Sequence, residues 1–224
     1  VLQFKDSLLS HNDTLSNEFM WCLGRESEYY YELGSLEAVV PVLLRANSIL
    51  RRLYTKESQD YILVCGYLAN TYMDLGRYLE AETLFREALA LQEKLTGKNH
   101  FFYISCLASL GRIKSLKAEF KEAAILLNEA LVSTISHFGN ETDETAIAHM
   151  RLATFYIQSS KPEKAVIHLN EQLRIIKNIF DTSHWRYGLA LMNLAEYYQQ
   201  IDQYSKAEKY LRDCIFVYTN IGID

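Results

Sequence analysis

Residues 68–89 read LANTYMDLGRYLEAETLFREAL, and this stretch decides the fold. Leu68, Ala69, Tyr72 and Leu75 recur at helical spacing and make one apolar stripe. Gly76 and Arg77 interrupt the run. Ala81, Leu84, Phe85, Ala88 and Leu89 then make a second stripe on a second helix. Small side chains at Ala69 and Ala81 let the two helices approach, while Tyr72, Tyr78 and Phe85 fill the space around them. A hairpin of this kind has two apolar faces and cannot bury both alone, so a similar neighbour must stack on it.

The pattern returns every 42 residues. One column holds Ser27, Ala69, Gly111, Ala153 and Ala195; three residues on stand Tyr30, Tyr72, Lys114, Tyr156 and Tyr198. Further columns read Val39, Ala81, Ala123, Ala165, Ala207 and Leu43, Phe85, Leu127, Leu169, Leu211. The register runs without a gap from Tyr61 onward. It predicts an all-α chain of five helix-turn-helix repeats at about 18–59, 60–101, 102–143, 144–185 and 186–224, after a lead-in over 1–17. The ten helices are expected near 18–33, 35–54, 60–75, 78–96, 102–117, 120–138, 144–159, 161–179, 186–200 and 203–220.

Bulk properties agree. With 49% apolar residues the chain has ample material for a core and is not a disordered polymer. Two prolines and nine glycines are too few turns for an all-β sandwich. A net charge of −5 without a basic stripe argues against nucleic-acid binding. The longest apolar run, Tyr61 to Ala69, is about half of what a helix needs to cross a bilayer, so no membrane insertion is expected. No basic-then-apolar leader opens the chain. It starts at Val1, which leaves a lost leader or upstream domain open. Cys22, Cys65, Cys106 and Cys214 form no C-x-x-C pair and read as buried reduced thiols of an intracellular protein.

The joints carry cap chemistry. Gly97 and Gly139 stand where second helices are expected to end in a left-handed residue. Asn99, Thr142 or Asp143, and Thr182 or Ser183 offer oxygens to cap the helices that follow; Asp13 or Thr14 serves the first. Pro162 fits a first helical turn, whereas Pro41 falls inside a helix and predicts a kink.

These residues resemble the tetratricopeptide repeat family, whose signature is matched by Leu68-Ala69, Tyr72, Gly76, Tyr78, Ala81, Phe85 and Ala88, and the likeness covers about 18–222. The family's usual repeat is about 34 residues. At 42, with Leu95-Thr96-Gly97-Lys98-Asn99-His100 closing a long second helix, the array is more similar to kinesin light chain and its relatives. The resemblance implies a right-handed α-solenoid. More faintly, Glu37-Ala38-Val39-Val40-Pro41 with Leu44 and Leu53-Tyr54 resembles the first repeat of ciliary MYND-zinc-finger tetratricopeptide proteins. That likeness would imply an axonemal scaffold with its zinc finger upstream, since no cysteine cluster here supplies one.

In that architecture the first helix of each repeat lines a concave wall. The resemblance places Arg25 there in repeat one, and Tyr67, Asn70 and Met73 in repeat two. Arg112 follows in repeat three; Ile147, Met150, Arg151, Thr154 and Gln158 in repeat four; Asn193 and Glu196 in repeat five. Arg25, Arg112 and Arg151 suit partner carboxylates. Asn70 and Asn193 suit a peptide backbone, and Tyr67, Met73 and Met150 offer adaptable apolar contact. The same positions also read as plain solvated helix faces. A chaperone-type carboxylate clamp is excluded, because its two lysine places hold Gly66 and Ile147.

No phosphate-binding, dinucleotide, nucleophile-elbow or zinc-protease motif occurs, so no enzyme, cofactor or metal is expected. His100 and His184 occupy equivalent loops and read as loop caps rather than ligands. His149 reads as a satisfied core histidine, and His11, His137 and His168 have no partner of suitable spacing. Glu80, Glu82, Glu87 and Glu93 read as outer-face carboxylates beside Arg86 and Lys94. The expected function is a cytoplasmic scaffold or adaptor that holds a protein or peptide segment. The alternatives are a permanent subunit of a larger assembly, such as a ciliary axoneme or the cytoskeleton, and the non-catalytic arm of a multidomain enzyme. The last helix, with Tyr210, Ile215, Phe216, Val217 and Tyr218, leaves self-association or docking open.

Overall fold

The computed structural model describes residues 17–53 and 58–222. His11, Asp13, Thr14 and Tyr54 lie outside them. Ten helices and no strand occur among the described residues: α1 Asn17–Glu32, α2 Leu36–Leu53, α3 Gln59–Asp74, α4 Tyr78–Thr96, α5 Phe101–Leu116, α6 Phe120–Phe138, α7 Asp143–Gln158, α8 Pro162–Ile179, α9 Trp185–Gln200 and α10 Tyr204–Asn220. The chain divides into two compact units, 1–109 and 110–224, and the division falls within α5.

In the first unit α2 packs between α1 and α3, and α3 packs on α4. Leu23, Val42, Ala46 and Ile49 form one cluster, closed by Met20, Tyr30 and Val64. Ala69 and Ala81 are both fully buried, as their small size at a close helix crossing requires. Tyr61 is fully buried too, yet its hydroxyl is satisfied from both sides. It accepts from Arg51 Nη2 (2.7 Å) and Nε (3.0 Å), and donates to Glu87 Oε1 (2.8 Å). This network joins α2, α3 and α4, and corrects the outer-face reading of Glu87. Glu82 is likewise buried and accepts from Arg86 at 3.0 Å.

In the second unit α6 packs on α7, α7 on α8, α8 on α9 and α9 on α10. Leu127 of α6 meets Leu152 and Phe155 of α7, and Leu169 of α8 meets Leu194 and Tyr197 of α9. Each such side chain taken from water contributes roughly 1.5–3 kcal/mol. The interior of this unit is thus divided among small clusters rather than gathered in one core.

The hairpin turns are built alike. One residue in each takes a left-handed φ: Gly34 (68°), Gly76 (73°), Ala118 (59°), Ser160 (57°) and Asp202 (58°). Its N–H bonds the carbonyl three residues back and the next N–H reaches five back, as in Gly76 N to Met73 O and Arg77 N to Tyr72 O (3.1 and 2.8 Å). The final carbonyls of the first helix are satisfied in this way.

Cap chemistry partly departs from expectation. Thr142 caps α7 by accepting from Thr145 N, and Ser58 caps α3 by accepting from Tyr61 N. His100 and His184 cap α5 and α9 through Nδ1, accepting from Phe102 N and Arg186 N, each at 3.2 Å. They act as loop caps, and take the place expected for Asn99 and for Thr182 or Ser183. Gly97 and Gly139 end α4 and α6 with φ 82° and 96° but extended ψ. This is a region open essentially to glycine alone, not the left-handed helical well. Pro162 is the first residue of α8, while α2 runs on through Pro41.

The tyrosine column explains itself in space. Lys164 Nζ stands 5.6 Å from the Tyr156 ring centroid, and Lys206 Nζ stands 5.0 Å from that of Tyr198. At the same two places of the third hairpin the partners are Lys114 and Glu122, 3.2 Å apart, with Glu119 adding a second carboxylate. A cation on an aromatic face is replaced by a cation held between carboxylates, which lets Lys114 be buried where other hairpins carry tyrosine.

Candidate functional site

On α7, Ile147, Met150, Arg151, Thr154 and Gln158 fall on one stripe, because their spacing follows the helical repeat. Arg112 and Ser115 lie one turn apart on the second-unit part of α5. Between these stripes runs a cleft of about 310 Å³, floored by Leu127 and Phe155, both nearly inaccessible to solvent. Ser115 donates to the Gln158 carboxamide oxygen and pins α5 to α7 at one end. Thr154 donates to the Met150 carbonyl at 3.1 Å, so its hydroxyl is partly satisfied within its own helix.

Arg112 and Arg151 line this cleft together. Arg25, Arg77, Arg86, Arg174, Arg186 and Arg212 each reach a carboxylate. Arg112 and Arg151 make no ion pair or side-chain hydrogen bond among the described residues. Arg151 is open to solvent, yet it stands in a concavity with protein on several sides. That burial lowers its pKa, and the neighbouring Arg112 charge pushes the same way. Two neighbouring cations without a carboxylate destabilise one another, and an anion placed between them would relieve that repulsion.

The other anticipated groove residues are placed as follows. Arg25 is paired with Glu28 on its own helix. Tyr67 is exposed and Asn70 half-buried on one side of α3. Met73 is buried and so is not available for contact, which corrects its assignment to the wall. Asn193 donates to Gln172 Oε1 at 3.2 Å, which commits part of its amide, and Glu196 is exposed. Ser115, Leu127 and Phe155 were not anticipated as cleft residues. Leu127 belongs to a packing column and Phe155 is buried against it, and only the third dimension reveals that both line an opening.

A second polar group sits between α7 and α8. His149 Nδ1 and His168 Nδ1 are 2.9 Å apart, and Tyr156 stacks on His168 with ring planes 13° apart. The expectation that His168 has no partner is therefore wrong: a separation of nineteen residues joins facing positions of a hairpin rather than one helix face. Burial, then the neighbouring His149, lowers the His168 pKa to about 4; burial lowers that of His149 as well.

Paired helices with small residues at their crossings, stacked through short apolar columns, define a helical-repeat protein of the interaction class. The tetratricopeptide repeat profile matches residues 62–131 and 144–220, well over half of the chain, and the protein belongs to that family. Among solved structures, TPR-like repeats of a Podosopora anserina protein described as a kinesin light chain are similar at TM-score 0.77 and 19% identity, covering 92% of this chain and 97% of that one. BtubC (BKLC) from P. vanneervenii is similar at TM-score 0.79 and 16% identity, over 98% of this chain and 87% of the other. A Rap protein complexed with competence and sporulation factor is similar at TM-score 0.76 and 13% identity, over 98% of this chain and 60% of that one. No curated protein matches in sequence. These matches lend no support to the fainter MYND-zinc-finger likeness.

Proposed function

We propose that the protein is a scaffold or adaptor, and that the α5–α7 cleft takes an acidic segment of a partner protein. Arg112, Met150 and Arg151 are its primary contacts, and Asn193 and Glu196 of α9 extend the same acidic-segment reading within the second unit. The observation that carries this reading is the pair of guanidiniums without a carboxylate over the Leu127–Phe155 floor. A Rap protein complexed with competence and sporulation factor and a Rap conjugation gene regulator in complex with the Phr* peptide have a similar fold, which supports peptide capture as work this fold can do.

The test selects a random displayed peptide library on the wild-type protein and re-measures the selected peptides against R112E/R151E. Acidic peptides are expected, with affinity falling at least about tenfold in the double variant and weakening with salt. Both residues lie on open faces and hold no internal partner, so the melting temperature is expected to change little. Selected peptides that lack acidic residues, or that bind the double variant equally well, refute the cleft.

A further inference from the structure

The packing columns show where the fourth hairpin departs from the others. The places of His149 and His168 hold Leu23 and Val42, Cys65 and Leu84, Leu107 and Leu126, and Leu191 and Tyr210 elsewhere. Leu23 and Val42 meet in one cluster, and Leu191 and Tyr210 in another. The ring stacking beside the pair is kept: Tyr156 lies on His168 as Tyr198 lies on Tyr210, with planes 13° and 3° apart. Two imidazoles thus occupy a contact that every other hairpin builds from side chains that take up no proton.

The contact has room for one proton only. With the Nδ1 atoms 2.9 Å apart, one ring donates an N–H and the other accepts on its lone pair. A second proton turns the acceptor into another donor, so two N–H groups and two positive charges face each other and the rings must part. Glu171 of α8 favours the charged form of both rings, but it is held by Arg174, whose own charge opposes protonation of His149. On α7 the ionisable neighbour is Tyr156, with Lys164 of α8 5.6 Å from its ring centroid. Among the described residues no charged group of α6, α9 or α10 shifts either ring.

We propose that the His149–His168 contact is an acid-released latch, which holds the α7–α8 hairpin closed at neutral pH and loosens the α5–α7 cleft as pH falls. His149 directly precedes Met150 and Arg151 on α7, so a movement of that helix carries the cleft residues with it. The effect on the cleft rests on the reading of that cleft as a binding site; the latch itself does not. In the parted hairpin a histidine titrates near its ordinary 6.5, whereas in the closed one burial and the neighbouring His149 hold His168 at about 4. The closed form is therefore fully favoured above pH 6.5 and is lost as pH falls. At pH 5, proton uptake by His168 alone shifts the balance toward the parted form by roughly thirtyfold.

The experiment measures amide hydrogen exchange on the full chain at pH 7.5 and 5, as protection relative to the unfolded chain. In parallel it measures the affinity of one acidic peptide selected at pH 7.5. Protection across α7 and α8 is expected to fall by roughly thirtyfold in wild type and to change little in H149L/H168Y, which installs the Leu191–Tyr210 contact. In α10, where Tyr210 stands in place of histidine, protection is expected to hold in both. Peptide affinity is expected to fall severalfold more in wild type than in the double variant, a comparison that removes the peptide's own titration. Melting curves at pH 7.5 check that the double variant folds, and H168Y alone gives the same comparison if it does not. Unchanged protection in wild type, an equal fall in the variant, or an equal fall in α10 overturns the latch. A fall in protection without the larger loss of affinity overturns its coupling to the cleft. A peptide selection that fails at pH 7.5 refutes the cleft reading, and hydrogen exchange then still decides the latch.

Discussion

The turn at Ala118 offers a clean perturbation, because its cost is confined to the backbone. Gly34 and Gly76 hold this position in the first two hairpins, whereas Ala118, Ser160 and Asp202 hold it with a side chain at nearly the same φ. An L-residue in that region costs about 1–2 kcal/mol relative to its preferred wells. Glycine's greater freedom in the unfolded chain returns about 0.4–1 kcal/mol of any gain. Ala118 is exposed, so removing its methyl loses little buried surface. Ala118→Gly is therefore expected to stabilise the protein by about 0.5–1 kcal/mol, a rise in Tm of roughly 2 °C. The reverse test is Gly76→Ala. A Cβ at Gly76 meets nothing within 4 Å, so the expected loss of about 0.5–1 kcal/mol comes from φ alone. Urea unfolding followed by far-UV circular dichroism reads both changes as midpoint shifts at constant slope. If Ala118→Gly destabilises while Gly76→Ala is neutral, the turn conformation is not what these residues are selected by, and the reasoning fails.

Three other outcomes follow from the packing. Glu122→Lys sets a second cation beside buried Lys114 and is expected to destabilise by about 2 kcal/mol or more; adding Lys114→Tyr recreates the Tyr156–Lys164 pairing and restores most of it, as a double-mutant cycle would show. Gly111→Ala is expected to lower the urea midpoint although the column carries alanine elsewhere, because the new Cβ would lie 2.6 Å from Leu127 Cγ. His168, with its folded pKa depressed to about 4 from 6.5, stabilises only while neutral, so stability is complete above about pH 6.5 and is lost as pH falls toward 4, by at most about 3 kcal/mol. Urea midpoints at pH 7.5 and 5 measure this, and His168→Tyr, the residue at the equivalent Tyr210, is expected to flatten the acid limb.

Much of the fold was legible because packing positions repeat. Ala69, Ala81 and Phe85 are buried where the stripes put them, and the helix limits agree closely with the hydrophobic period. The turn residues were harder: only glycine advertises a left-handed φ, so Ala118, Ser160 and Asp202 are visible only by aligning them beneath Gly34 and Gly76. Six of the nine residues that line the cleft were legible on the same grounds, since Arg112, Ile147, Met150, Arg151, Thr154 and Gln158 occupy outward places on first helices. What one-dimensional spacing could not supply is which arginine finds a carboxylate. Arg25 does so one turn away, and Arg112 and Arg151 do not. The His149–His168 pair was missed because facing positions of a hairpin are set by the turn, not by any short interval.

Cys22, Cys65, Cys106 and Cys214 are all free and sealed from solvent, and burial pushes the Cys106 thiol up to about 12. An alkylating reagent can therefore reach each sulfur only when its helix swings away, and the four sites become clocks for local breathing on α1, α3, α5 and α10. Cys214 is 5% exposed and Cys106 1%, so Cys214 is expected to be modified first, and the two rates would report separately how readily α10 and α5 open within their own units.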